Sequence, residues 1–150
     1  MSAASLNPDM DDDDRMEADD DEEVLLRLPG RPEFVKLVRV AATGLASRLG
    51  FSWDEVEDLR LAVDELCYAV LDGQSGHSVL CVRYRMVDRS LEVEGHLEQP
   101  AATPVTISEL SLSQFGDQIL SALVDEHAIR AENPGQPALW IRKSRTDPPR

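Results

Sequence analysis

Two amphipathic helical patterns lie almost end to end in this chain, and they constrain its fold more than any other feature. The first recurs at three and four residues through Phe34, Leu37, Val38, Ala41, Ala42, Leu45 and Leu49, leaving Lys36, Arg39 and Thr43 on the outer side. Pro32 suits its first turn, and Gly50 offers the left-handed position that follows a helix C-cap. The second opens on a capping box, with Ser52 at the N-cap, Glu55 at N3 and Phe51 placed to staple onto Val56. Its seam is Val56, Leu59, Val63, Leu66 and Val70. Neither stripe is buried by its own helix, so the two need a common cover.

An antiparallel sheet is the expected cover. Val79 to Val87 and Leu91 to Leu97 alternate as strands around the turn Asp88-Arg89-Ser90, which predicts a hairpin. Val24 to Leu28 reads as a short opening strand broken by Pro29-Gly30, and Asp72-Gly73 begins a plain loop through Gly76. After a Pro-containing loop, Ser111 is placed to cap a third helix, with Gln114 at N3 and Leu110 stapling to Phe115. Leu112, Phe115, Ile119 and Leu123 would form its apolar face, ending near Glu126. Strands near Ala128 to Glu132 and Ala138 to Lys143 flank Asn133-Pro134-Gly135. The predicted fold is a two-layer α/β (α+β) sandwich, with helices 31–49, 53–71 and 111–126 on one face of a mixed, mostly antiparallel sheet.

With 150 residues, 42% of them hydrophobic, the chain has material for one core. Its net charge of −14 is unevenly placed: residues 1–23 hold eleven of the 29 acids and one base, leaving 18 acids against 14 bases. Such self-repulsion without apolar surface predicts a disordered tail over 1–23, a folded domain over 24–143 and a frayed segment over 144–150. The tail reads as a solubilising segment or as an acidic arm competing for a basic partner surface. The acidic balance argues against direct contact with nucleic acid or membrane. Cys67 and Cys81 are expected as free thiols, and the chain lacks a signal-peptide pattern or a long apolar span, which predicts a cytoplasmic protein.

No hydrolase elbow, P-loop, dinucleotide fingerprint or zinc-protease motif is present. His77, His96 and His127 lack ligand spacing, so no metal site is predicted. Gly73-Gln74-Ser75-Gly76 follows a helix instead of leading into one, which makes it a loop and not an anion cradle.

The informative segment is Asp58 to Val70, where Leu61-Ala62-Val63-Asp64-Glu65 resembles the N-box helix of the anti-sigma serine kinases in the histidine-kinase-type ATPase superfamily. The opening strand, the Gly50-Phe51 junction, the hairpin and the late helix ending Leu123-Val124-Asp125-Glu126 follow the family's order, so the resemblance spans about Val24 to Lys143. The wording Leu-Arg-Leu-Ala-Val-Asp-Glu-x-Cys is most similar to the actinobacterial branch.

In that family the N-box Glu is the base toward a partner's serine, and an Asn four residues later holds Mg²⁺ against the nucleotide phosphates. Glu65 matches the base; as a plain reading it is a solvent-facing carboxylate on an amphipathic helix. Ala69 stands at the Asn position and offers no oxygen. The Asp-x-Gly-x-Gly box is reduced to Gly95, and the glycine-rich entry to the late helix to Gly116. The resemblance also places Arg39, with Lys36 and Arg60 beside it, toward a sigma factor. It implies an anti-sigma factor working by partner switching, in which a homodimer sequesters a sigma factor until an anti-anti-sigma (STAS-type) protein competes. ATP and Mg²⁺ are then not required. The alternatives are an active ATP-dependent serine kinase acting on the anti-anti-sigma protein, and a degenerate ATPase-fold module in another regulatory complex.

Overall fold

The computed structural model describes residues 21–72, 77–99, 112–133 and 136–147. Five strands and three α-helices run in the order β1 (Glu22–Pro29), α1 (Val35–Arg48), α2 (Trp53–Leu71), β2 (Val79–Val87), β3 (Ser90–Glu98), α3 (Gln114–Leu123), β4 (Glu126–Asn133) and β5 (Gln136–Ser144). The strands form one sheet ordered β1-β2-β3-β5-β4, and every described pairing is antiparallel, so the predicted mixed character reduces to its antiparallel part.

Register explains the single covered face. Leu26, Val82, Gly95 and Leu139 form one cross-strand row, and Val24, Tyr84, Val93 and Ile141 the next. Because side chains alternate along a strand, these rows share one side. There they meet Leu59, Ala62, Val63 and Leu66 of α2 and Val38 and Ala42 of α1, all buried in a single core. Gly95 permits this approach: a Cβ on it would lie 2.6 Å from Leu66 Cδ2. Tyr84 reaches further, its buried hydroxyl donating to the Val38 carbonyl at 2.7 Å. Burial pushes the Tyr84 phenol well above its usual range.

The helix ends follow their local chemistry. Gly50, at φ 81°, follows α1; the Gly50 amide donates to the Ser47 carbonyl and the Phe51 amide to that of Ala46, the pattern of a Schellman motif. The predicted capping box opens α2: Glu55 N–H donates to Ser52 Oγ at 3.2 Å and Ser52 N–H to Glu55 Oε1 at 2.9 Å. At the far end of the chain Lys143 donates to the Leu123 carbonyl at 2.7 Å and lies 3.6 Å from Asp58, joining the end of α3 to α2. Arg145 reaches the Leu49 carbonyl, and Asp147 pairs with Arg89.

Three local expectations are corrected. Pro32–Phe34 forms a 3-10 turn, so α1 begins at Val35 and buries Val35, Val38, Ala42 and Ala46, while Leu37 is exposed. The helix α3 opens at Gln114, which stands at its first position and not at N3, and Ser113 caps it, accepting the Gly116 amide at 3.0 Å. The face of α3 turned inward carries Gly116 and Leu120, leaving Phe115 71% exposed, and the helix stops at Leu123. The expectations for Leu110, Ser111, the 73–76 loop, most of the acidic tail and the Pro134-Gly135 turn lie outside the described residues. No described helix is long and apolar enough to cross a membrane.

Candidate functional site

The middle of α2 faces the first turn of α3, and this contact brings together two residues singled out from sequence. A Cβ on Gly116 would stand 3.2 Å from Glu65 Oε1, 3.3 Å from Ser113 Oγ and 3.5 Å from Leu112 Cδ2. A glycine leaves room for the α2 carboxylate close to the start of α3, where the partial positive charge of a helix N-terminus favours an acid. Glu65 is half-buried and has no hydrogen-bond partner among the described residues. The Gly116 amide is already taken by Ser113 Oγ, and the Asp117 amide by the Ser113 carbonyl.

One turn further along the same face of α2 stands Ala69, its methyl packed against the core. Gly95, which the resemblance matches to the glycine box, lies beneath Leu66 and permits helix-on-sheet packing. Cys67 is fully buried, its thiol pushed up to about 12 by burial and then by Asp64. Tyr68 is exposed.

The residues expected to meet a partner lie on the outer side of the helix layer. Arg39 Nε donates to Asp64 Oδ1 at 2.9 Å, tying α1 to α2, and this contact raises the arginine above its usual range. The arginine side chain keeps 31% exposure, and its terminal amino groups have no partner among the described residues. Lys36 is exposed one turn before it. Arg60 pairs within its own helix with Glu57 at 2.7 Å. On the same two helices Leu37, Val40, Leu61 and Tyr68 are exposed.

A second grouping was invisible to ligand spacing. Cys81 and His96 are direct cross-strand partners on the open side of the sheet, with Glu98 two residues beyond His96. Counting back from the turn at Asp88–Arg89 is the signal that pairs them.

Three helices packed on one face of a five-stranded antiparallel sheet are consistent with the histidine-kinase-type ATPase fold. No family model matches the chain. The Serine-protein kinase RsbW of Bacillus subtilis is 30% identical over 126 residues, covering 72% of this chain and 76% of that protein. Its counterpart in Bacillus pumilus is 28% identical over 128 residues, covering 72% and 78%. Over a shorter stretch of 44 residues, the Listeria monocytogenes Serine-protein kinase RsbW is 48% identical, covering 29% of this chain and 28% of that one. The chain belongs to the RsbW serine-protein kinase family.

Proposed function

We propose that this chain is a cytoplasmic anti-sigma factor of the actinobacterial branch, which sequesters an RNA polymerase sigma factor and yields it when an anti-anti-sigma protein competes. The observation that carries this reading is the pair of residues 65 and 69. Mg²⁺ takes oxygen ligands in near-octahedral geometry, and the turn that follows Glu65 presents a partly buried methyl group packed against the core. Close by, the Ser113 hydroxyl and the Gly116 amide are engaged with each other. Among the described residues, this donor set supports a reading without a metal bridging nucleotide phosphates. The function is therefore assigned to protein binding, which requires surface and not turnover.

The exposed surface of α1 and α2 supports that assignment. Arg39 and Lys36 offer donors beside Leu37, Val40, Leu61 and Tyr68, a mixture of cation and apolar area suited to an acidic protein face. A homodimer is part of the proposal, as is release by partner switching.

Glu65 favours a second reading, a surviving serine kinase, because its carboxylate has no hydrogen-bond partner among the described residues. Mixing the full chain with γ-labelled ATP, Mg²⁺, the sigma factor and its antagonist separates the two. Competition predicts displacement of sigma without phosphoserine, at a rate indifferent to Glu65→Ala. Phosphoserine that disappears in Glu65→Ala would establish the kinase instead.

A further inference from the structure

The sheet face turned away from the helices carries a cluster that the reading above does not use. Cys81 sits on β2 opposite His96 on β3, Glu98 follows on the same side of β3, and Arg27 on β1 is the other neighbour of Cys81. One thiol, one imidazole and one carboxylate thus converge from two strands, and their donor atoms all lie within 4.8 Å of one another. His96 Nε2 is 3.7 Å from Glu98 Oε1. A depression of about 200 Å³ opens over them, with Leu25 on its rim. Arg27 closes the set: Nη2 donates to Glu98 Oε2 at 2.8 Å and Nη1 to Cys81 Sγ at 3.5 Å.

We propose that Cys81, His96 and Glu98 form a site for a divalent cation of borderline softness, Zn²⁺ being the type, with water as a fourth ligand and Arg27 displaced as the ion enters. The donor chemistry selects the ion. Sulfur, imidazole nitrogen and a single carboxylate match Zn²⁺ and its neighbours, whereas Mg²⁺ and Ca²⁺ take oxygen sets. The geometry needs only a small contraction. Tetrahedral bonds of about 2.0–2.3 Å place donor atoms roughly 3.3–3.7 Å apart. His96–Glu98 is already there, and the remaining closure, roughly 1 Å, is within the reach of χ rotations of two partly exposed side chains.

Arg27 supports the assignment by its position. A guanidinium spans the same thiol and carboxylate that a cation would hold, and its side chain is 62% exposed, free to swing into solvent. On coordination the Cys81 thiol proton leaves to solvent and the thiolate becomes the metal's ligand. Two strands supply the ligands of one ion position, so occupancy would fasten β2 to β3 and loosen the side-chain tie from β1. The inference is independent of the Glu65 reading, since the two sites lie on opposite sides of the sheet.

The test uses the full chain, stripped with chelator and kept reduced, with Co²⁺ as the spectroscopic probe and Zn²⁺ as its competitor. Saturable binding of one ion per chain is expected, with a thiolate-to-cobalt charge-transfer band that Zn²⁺ removes and Mg²⁺ does not. Cys81→Ser should abolish the band, His96→Gln and Glu98→Gln should each weaken binding at least ~tenfold, and Arg27→Gln should tighten it several-fold. A band that persists in Cys81→Ser, affinity unchanged in His96→Gln, or no band at all overturns the site. Alkylation of the unaltered protein, read at Cys81 by peptide mass, requires no variant to fold. Zn²⁺ should slow it at least ~tenfold and chelator restore it, and an unchanged rate also overturns the proposal.

Discussion

At the scale of single residues, the molecule is governed by where polar atoms find partners inside an apolar layer. Tyr84 is the deepest case: its ring fills the core between sheet and helices, and its hydroxyl has only the Val38 carbonyl to bond. Tyr84→Phe keeps the ring and removes the donor, leaving that carbonyl with its helical bond alone. The expected loss is about 1–2 kcal/mol of unfolding free energy, read by urea denaturation with an unchanged m-value. Site residues were legible in sequence to the extent that their roles depend on one helix. Glu65 and Ala69 share a face because of helical periodicity alone, which their spacing in the sequence states directly. The pairing of Arg39 with Asp64, and that of Cys81 with His96, depends on how two elements dock or register. No periodicity within either element encodes those contacts.

Among the elements, α2 shows how a local signal becomes a tertiary one. Its capping box was readable from Ser52 and Glu55, but the second oxygen of Glu55 also accepts the Thr146 amide at 2.8 Å, fixing the segment after β5 to the start of the helix. Burial pushes the Glu55 carboxyl up, yet the amides of Ser52 and Thr146 outweigh it and hold it below its usual range. A carboxyl whose folded value is depressed stabilises the fold above its unfolded value and loses that contribution as pH falls through the folded one. Glu55→Gln should therefore lower stability at neutral pH by about 1 kcal/mol, with the difference from the unaltered protein shrinking in thermal melts taken down through the carboxylate range. Gly95→Ala probes the opposite contact, helix on sheet. A new methyl 2.6 Å from Leu66 Cδ2 meets a side chain with no exposed area into which to retreat. Overpacking there should cost about 1–3 kcal/mol in the same denaturation assay. The errors of phase have physical causes as well. Beginning after the 3-10 turn at Pro32–Phe34, α1 buries the expected Val38 and Ala42 together with Val35 and Ala46 while Leu37 turns outward, and in α3 the residue facing Glu65 is a glycine, which carries no hydropathy signal.

For the whole molecule, the proposed function asks one layer of helices to serve both as the cover of a sheet and as a surface for another protein. The inward rows of α1 and α2 are committed to the core, so the surface proposed for a partner is what is left: Lys36, Arg39, Val40, Leu61 and Tyr68. Arg39 belongs to both tasks, since Nε holds Asp64 while the terminal amino groups face outward. Its two roles separate in a charge exchange. Arg39→Asp alone places two carboxylates together and should lower the melting temperature as well as sigma binding. Combining it with Asp64→Arg recreates an ion pair between the helices, and the double variant should regain stability to within ~0.5 kcal/mol of the unaltered chain, as a half-exposed pair of modest strength allows. Sigma affinity, measured by calorimetry, should stay at least ~tenfold weaker, because the outward cation now projects from α2 in place of α1. Recovery of both quantities in the double variant would assign Arg39 to helix docking alone and move the sigma-binding surface elsewhere on the helix layer.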